Sequence, residues 1–406
     1  MDYLFGERLI ALDLCTEVGA LCGKMLAQLG IEVVKVEPPG GDTERNYDSA
    51  EPAVDLTWLA LNTGKKSVTI DLTNERGRDL FLRLVDQASF IIESFPPGYL
   101  NQIGLGYDVL SKRNPRLIVT SISPFGASGP YAAFKSTDLT LLAMGGLMNQ
   151  NGESDRPPLR FSVPQTGALA GAQAAAATLI AHESRAVTGT GQHIDLSVQE
   201  SILAADYMEQ QIWDILRENP KRMGSFQDRA GIAMRLIFPC TDGFVSWRLM
   251  FGAHGYMTGA VVGWMTEEGE SCGLEDVDWE SLDIRTLSQP DIERFENAIG
   301  AFFARRTKRI LYSGSIERGI VLFPLSNPSD LFADDQLAFR KFWLKVNQPL
   351  IDRDVDVPDL PFLIDGARYA SAVAGAPAVG EHNREIFNDV GLLADEIHDL
   401  EQAGVI

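Results

Sequence analysis

The chain has 406 residues, of which 45% are hydrophobic and 22% are charged, a composition typical of a globular protein with a sizeable core in two or three domains. The formal net charge of −21 argues against nucleic-acid binding and against an anionic membrane surface, because both need clustered Lys and Arg. A polyanionic ligand would need a local basic pocket.

The cysteines and the termini indicate the compartment. Four cysteines in a chain of this length do not form a disulfide framework, and Cys22 falls in an apolar helical pattern typical of a buried thiol. The N-terminus lacks the pattern of a secretion signal, and no window reaches 18 uninterrupted apolar residues. The sequence therefore predicts a cytoplasmic protein.

The first part of the chain alternates between strand and helix patterns. Short apolar or β-branched runs predict strands at 9–14, 32–36, 66–72, 90–92 and 117–121. Apolar residues at helical spacing predict helices at 18–29 and 74–88, and Gly30 is placed to end the first. This alternation favours an α/β fold with a parallel sheet covered by helices.

The second part is less regular. Residues 169–185 form an Ala-rich helical pattern with Gly171 near its start, which suits close helix packing, and 193–196 read as a strand. The sequence becomes polar and glycine-containing around 222–231, and 236–247 then read as a β-hairpin. We therefore predict a second domain at 225–325, followed by a tail that ends in an acidic helix.

Several kinds of site are absent from the sequence. There is no P-loop, and no Gly-x-Gly-x-x-Gly motif opens the first helix. The five histidines are scattered without the spacing of metal ligands, so no metal site is predicted. The segment 188–191 has the composition of a phosphate loop, but a connection from helix to strand is the favoured interpretation.

Ten short segments, in order along almost the whole chain, carry a resemblance to one enzyme family. They lie at 12–14, 35–38, 62–67, 93–98, 123–126, 156–158, 162–168, 189–192, 380–383 and 403–406. Together they resemble the family III CoA-transferases, which pass coenzyme A between carboxylic acids through an aspartyl thioester. The resemblance implies CoA thioesters as substrates and no tightly bound cofactor.

The resemblance also implies an architecture. A large Rossmann-like parallel-sheet domain would be built from both chain ends, residues 1–224 and 326–406, around a small α+β middle domain at 225–325. Two subunits of such proteins thread through one another as interlocked rings.

The position that the family uses for its nucleophilic aspartate is Gly167 in this chain. Glycine has no oxygen with which to attack a thioester, and Gln165, two residues earlier, is an amide and a poor nucleophile. Asp138 falls where relatives carry an acidic residue beside the nucleophile, so it is the one weak catalytic candidate. A structural or capping carboxylate is the alternative interpretation of Asp138.

The CoA pocket that the resemblance implies is also altered. Pro38, Pro96 and Gln102 stand where many relatives carry a basic residue. Each lost cation would remove a charge-assisted hydrogen bond of about 1.5–3 kcal/mol to a CoA phosphate. The positions that match CoA contacts of the family are Val18, Leu72, Phe95, Gly98, Gln102 and Lys135.

Two functions remain open. Residues 22–26 and 162–165 look most like the benzylsuccinate CoA-transferase branch, in which two related subunits pair and succinyl-CoA activates an aryl-substituted succinate during anaerobic toluene degradation. This chain would be the non-catalytic subunit, beside a sister chain that carries the aspartate. The alternative is an active homodimeric CoA-transferase or acyl-CoA isomerase that uses another acid such as Asp138. Racemase activity is disfavoured, because Thr137 and Gly167 replace the His and Asp of the family's racemases, and a regulatory CoA-binding protein is the remaining class.

Overall fold

The structure is a computed structural model that describes residues 4–46, 55–270, 272–368 and 373–406. The chain divides into two compact units. The first contains residues 1–148, 160–218 and 338–406, and the second contains 149–159 and 219–337. The predicted middle segment 225–325 lies inside the second unit, which extends further at both ends and also includes the separate stretch 149–159.

The strands confirm the α/β class. Their bounds are β1 Ile10–Leu14, β2 Glu32–Glu37, β3 Lys66–Thr69, β4 Phe90–Glu93, β5 Ile118–Ser123, β6 His193–Ser197, β7 Phe226–Arg229, β8 Ile232–Arg235, β9 Ile237–Cys240, β10 Gly243–Ser246, β11 Phe323–Pro324, β12 Trp343–Gln348 and β13 Arg353–Pro358. In the first unit β1 to β6 form a parallel sheet in the order β3-β2-β1-β4-β5-β6.

Helices cover this sheet and also form part of the second unit. Their bounds are α1 Glu17–Gln28, α2 Leu56–Asn62, α3 Glu75–Gln87, α4 Tyr99–Gln102, α5 Tyr107–Arg113, α6 Asp138–Met144, α7 Thr166–Thr188, α8 Val198–Ala205, α9 Tyr207–Leu216, α10 Gly255–Glu267, α11 Gln289–Phe303, α12 Lys308–Glu317, α13 Pro328–Phe332, α14 Asp335–Phe339, α15 Asn383–Asp389 and α16 Ala394–Gln402. Within the described residues, no helix is long and apolar enough to span a bilayer.

The sheet of the first unit has a hydrophobic core on each face. Alternate residues of one strand point to opposite faces, so Leu12 packs with Phe81 and Phe387 on one side, while Ala11 packs with Leu26 and Ala170 on the other. Strands buried on both faces need continuous apolar runs, which explains why the strand patterns were readable in the sequence.

The strand order places β1 between β2 and β4. Strands β2 and β3 extend the sheet on one side of β1, and β4 to β6 extend it on the other side, so the strand order reverses at β1. In open parallel sheets, ligands bind at the carboxyl ends of the strands where the order reverses. At this point the backbone N–H of Thr16, just before α1, donates to Ser94 Oγ at 2.8 Å, just after β4. The candidate site is therefore sought around the first turn of α1.

The second unit has its own aromatic core. The predicted hairpin at 236–247 is confirmed as the antiparallel pair β9–β10, with Gly243 opposite Cys240. Phe238, Trp247 and Phe303 pack edge to face, with ring centroids 5.4 to 5.6 Å apart. Such contacts give this unit a stable framework of its own.

Candidate functional site

Gly167 is the second residue of α7 and lies against the first turn of α1. A Cβ atom built on Gly167 would be 3.1 Å from the carbonyl oxygen of Glu17 and 3.5 Å from Val18 Cα. One turn further, a Cβ on Gly171 would be 2.8 Å from Leu21 Cβ. Both glycines are helical and have no positive φ. Close approach of two helices, rather than backbone conformation, is thus the reason that glycine fits here.

The side chain of Asp138, the first residue of α6, caps the N-terminus of α7. Its Oδ1 atom accepts hydrogen bonds from the backbone N–H of Gln165 at 2.8 Å, from the backbone N–H of Thr166 at 2.9 Å and from the Thr166 hydroxyl at 3.0 Å. Gln165, the N-cap residue of α7, provides no side-chain cap of its own. A carboxylate at a helix N-terminus satisfies free N–H groups and is stabilised by the helix dipole. This arrangement agrees with the capping interpretation of Asp138.

Other carboxyl groups lie near Asp138 and Glu17, the first residue of α1. Burial raises the pKa of Glu17, and the nearby carboxylates of Asp138 and Asp55 raise it further. Burial also raises the pKa of Glu44, with a contribution from Asp42 in the same direction. These acidic groups come from four separate segments of the chain, so no sequence motif predicted that they would lie together. Their combined field disfavours a polyanion at this position.

Two lysines of the family-like segments, Lys35 and Lys65, form their contacts inside the protein. Lys35 is 2% exposed; its ammonium donates to the carbonyl of Cys15 and lies 3.2 Å from the Asp42 carboxylate. Lys65 Nζ is 2.7 Å from Asp13 Oδ2, and both side chains are fully buried. Neither ammonium is available to a phosphate group in this arrangement.

The predicted CoA-contact residues fall into separate places. Phe95 and Gly98 line one cavity of about 280 Å³ beside the end of β4. Val18 is half-buried next to Gly167, whereas Gln102 and Lys135 are exposed and do not line that cavity. The Leu72 side chain is 8% exposed and belongs to the hydrophobic core, so a contact of this residue with CoA would have to involve its backbone.

The Phe95 cavity contains a polar row that the sequence analysis missed. Ser121 Oγ lies 2.9 Å from His193 Nε2, and the ring of Tyr107 stacks on His193 with centroids 5.2 Å apart. Glu93 Oε2 accepts a hydrogen bond from the backbone N–H of Phe95 at 2.7 Å. Burial raises the pKa of Glu93 and lowers the pKa of His193, so both groups lean towards their neutral forms. The available signal was that Glu93, Ser121 and His193 lie in or directly after segments predicted as strands, which the sheet places side by side as β4, β5 and β6.

The chemistry that this arrangement permits is limited. At the start of α7 the chain has Gly167, which offers no side-chain oxygen, and Oδ1 of Asp138 accepts hydrogen bonds from the backbone. Among the described residues, no group of three or more His, Cys, Asp and Glu side chains could hold a metal ion. The region is a close junction of two helices with acidic groups around it.

Comparisons with known proteins cover nearly the whole chain. The sequence profile of CoA-transferase family III matches residues 9–383. The chain is 34% identical to succinyl-CoA:(R)-benzylsuccinate CoA-transferase subunit BbsE of Thauera aromatica, with 98% of each chain covered. It is 31% identical to succinyl-CoA–D-citramalate CoA-transferase of Chloroflexus aurantiacus, covering 96% of this chain and 94% of that protein. Among solved structures, a CaiB/BaiF family protein from Brucella suis matches with a TM-score of 0.79 at 26% identity, covering 94% of this chain and 98% of that one.

Proposed function

Because this chain belongs to CoA-transferase family III, we propose that it is the non-catalytic subunit of a heteromeric CoA-transferase. The enzyme would move CoA from succinyl-CoA to an aryl-substituted succinate such as benzylsuccinate, a step of anaerobic toluene degradation. A related subunit that carries the catalytic aspartate would be its partner. The similarity to subunit BbsE supports both the substrate class and the need for a partner.

One observation carries the proposal: position 167, which the family resemblance assigns to the nucleophile, is glycine, and the candidate carboxylate of Asp138 is already hydrogen-bonded. Gly167 has no side chain, and Asp138 Oδ1 accepts three hydrogen bonds from the start of α7. A carboxylate oxygen that accepts three hydrogen bonds is a weaker nucleophile than a free one. Formation of an acyl anhydride on Asp138 would also remove the negative charge that supports the start of α7.

The electrostatics support the same proposal for CoA itself. The clustered acidic groups at the start of α1, together with Pro38, Pro96 and Gln102 in place of basic residues, oppose binding of CoA phosphates. We therefore propose that the productive CoA site lies in the partner subunit. Lys135, exposed and without an ion pair among the described residues, is the remaining cation at a family CoA position.

Helix α9 supports the presence of a partner. Its apolar side chains are unusually open to solvent: Met208 is 61% exposed, Trp213 48%, Ile215 76% and Leu216 59%. Contiguous apolar groups of this kind mark interaction surfaces. We propose that α9 packs against the related subunit. A cytoplasmic location is part of the same proposal and is supported by four cysteines that are all unpaired.

The alternative is an active homodimer that uses another acid. Asp138 is the acid that this alternative would use, and Glu17 lies near it. The alternative ranks second because Oδ1 of Asp138 already accepts three hydrogen bonds from the start of α7.

The test is reconstitution. The chain would be purified from its native source, and any second family III chain that accompanies it identified by mass spectrometry. The chain and that partner would then be assayed separately and together with succinyl-CoA and benzylsuccinate. We expect turnover that depends on the partner's aspartate and that disappears when this aspartate is replaced by asparagine. Turnover by this chain alone would contradict the proposal.

A further inference from the structure

The second unit contains a cavity of about 550 Å³ that is separate from the Gly167 region along the chain. It lies among the end of β7, the segment after β10 and the loop around residue 282. Its volume falls within the range of small-molecule sites. The residues that line it and are used below are Arg229, Arg248, Met250, Phe251, Leu282 and Ile284.

One wall of this cavity is apolar and firmly held. Met250, Phe251, Leu282 and Ile284 provide it. The backbone N–H of Met250 donates to Thr258 Oγ1 at 2.8 Å, and that hydroxyl donates back to the Met250 carbonyl at 2.9 Å. The Phe251 ring stacks near the buried ring of Trp279, with centroids 6.3 Å apart. A wall fixed in this way presents a preformed surface to an apolar ligand body.

Two guanidinium groups, those of Arg229 and Arg248, also line this cavity. Arg248 Nη1 donates to the Gln227 side-chain oxygen at 3.3 Å. Gln227 and Arg229 are two residues apart on β7, so their side chains leave the strand on the same face. Within the described part of the chain, neither Arg229 nor Arg248 forms an ion pair with a carboxylate. By contrast, Arg306 of the same unit pairs with both Glu268 and Glu270.

The acidic groups at the cavity do not cancel these two cations. Asp283 is bound by Arg285, whose hydrogen bonds lower the pKa of Asp283 to about 2. Glu280 and His254 also line the cavity, and both are exposed. With Asp283 neutralised by its neighbour, the lining retains an excess of positive charge beside an apolar wall.

We propose that this cavity binds an organic carboxylate with an apolar body, with Arg229 and Arg248 holding the carboxylate and the Met250–Phe251 wall holding the body. Arginine forks match carboxylate oxygens in geometry and charge. The site lies in the second unit and does not depend on whether the chain lacks catalytic activity. It therefore stands or falls independently of the function proposed above.

The test uses the full-length chain and three probes in isothermal titration calorimetry. The probes are 3-phenylpropionate, its neutral amide 3-phenylpropionamide, and propionate, which lacks the aromatic body. We expect 3-phenylpropionate to bind at one site per chain and each of the other two to bind at least about tenfold more weakly, the loss of one charge-assisted contact or of the apolar body.

Variants then locate the site. Arg248→Gln and Arg229→Gln should each weaken 3-phenylpropionate binding at least about tenfold, whereas Arg309→Gln, an exposed arginine of α12 outside the cavity, should leave it unchanged. Arg229 is exposed, so its variant remains informative where Arg248→Gln fails to fold. Equal binding of the amide, equal weakening by Arg309→Gln, unchanged binding by both cavity variants, or absence of binding would each overturn the proposal.

Discussion

Asp138 and Thr166 are joined by two hydrogen bonds to a single oxygen, one from the backbone N–H of Thr166 at 2.9 Å and one from its hydroxyl at 3.0 Å. These bonds connect the first residue of α6 to the first residue of α7. The carboxylate that the sequence offered as a catalytic candidate is therefore part of the support for the start of α7.

Removing this carboxylate should cost stability. We expect Asp138→Ala to lower the free energy of unfolding by about 1–2 kcal/mol, because the first N–H groups of α7 lose their partner. Asp138→Asn should cost less, since the amide oxygen still accepts. Denaturant titration measures both. Glu183, an exposed residue further along α7, gives matched controls in Glu183→Ala and Glu183→Gln, which should change little. Equal effects at positions 138 and 183 would argue against a capping role.

Restoring the carboxylate at position 167 should not by itself restore an enzyme. Gly167→Asp supplies a nucleophile, but Pro38, Pro96 and Gln102 still replace cations, and we expect weak or no transferase activity. The variant should also lose about 1 kcal/mol or more of stability. The reason is crowding of the new Cβ against the Glu17 carbonyl, since Gly167 does not have a positive φ.

Gly167→Ala is the control for this experiment. It adds the Cβ without the charge, so it should show most of the loss of stability and none of the carboxylate chemistry. Robust turnover by Gly167→Asp alone would show that the pocket changes matter less than we infer.

Covalent trapping should leave this chain unmodified. After incubation with succinyl-CoA, hydroxylamine or borohydride captures an acyl or thioester group on a carboxylate, and peptide mass spectrometry locates the product. We expect modification only on the aspartate of the partner subunit, because Gly167 offers no oxygen and Asp138 is hydrogen-bonded. An adduct on Asp138 or Glu17 would establish the active homodimer instead.

Lys24 should make stability depend on pH in the alkaline range. Its side chain is 7% exposed, and burial together with repulsion from Lys65 lowers its pKa from 10.5 to about 8. Between about pH 8 and pH 10.5 the unfolded chain binds more protons at this residue than the folded one, so stability should rise with pH. Lys24→Met should lose this rise and be more stable than the parent at pH 7, by at most about 3 kcal/mol. Denaturant titrations at several pH values measure the difference, with exposed Lys112→Met as the control.

The assembly should depend on a partner. Expressed alone, the chain should form a homodimer or aggregate, because the exposed apolar side chains of α9 become buried only when another chain packs against them. Co-expressed with its sister chain, it should form a heterodimer or heterotetramer. Size-exclusion chromatography with light scattering distinguishes these states, and a stable folded monomer at micromolar concentration would contradict the interlocked architecture expected from the family resemblance.

The sheet was predictable because its strands are buried on both faces and therefore read as apolar runs. Helix α1 ends at Gln28, just before Gly30 at φ +84°, as the sequence pattern indicated. The first turn of α7 was missed, since Gln165 has no capping side chain and the cap comes from Asp138, 27 residues away along the chain. The burial of the Leu72 side chain was likewise not predicted, because sequence position does not reveal which side chains the core encloses.

The close contact at Gly167 also limits which substitutions position 167 can accept. In this structure α1 already occupies the space beside position 167, and Gly171 makes a second close contact between the same two helices one turn later. Any side chain added at position 167 would therefore have to separate two packed helices. The packing thus restrains substitution at this position unless neighbouring positions change with it.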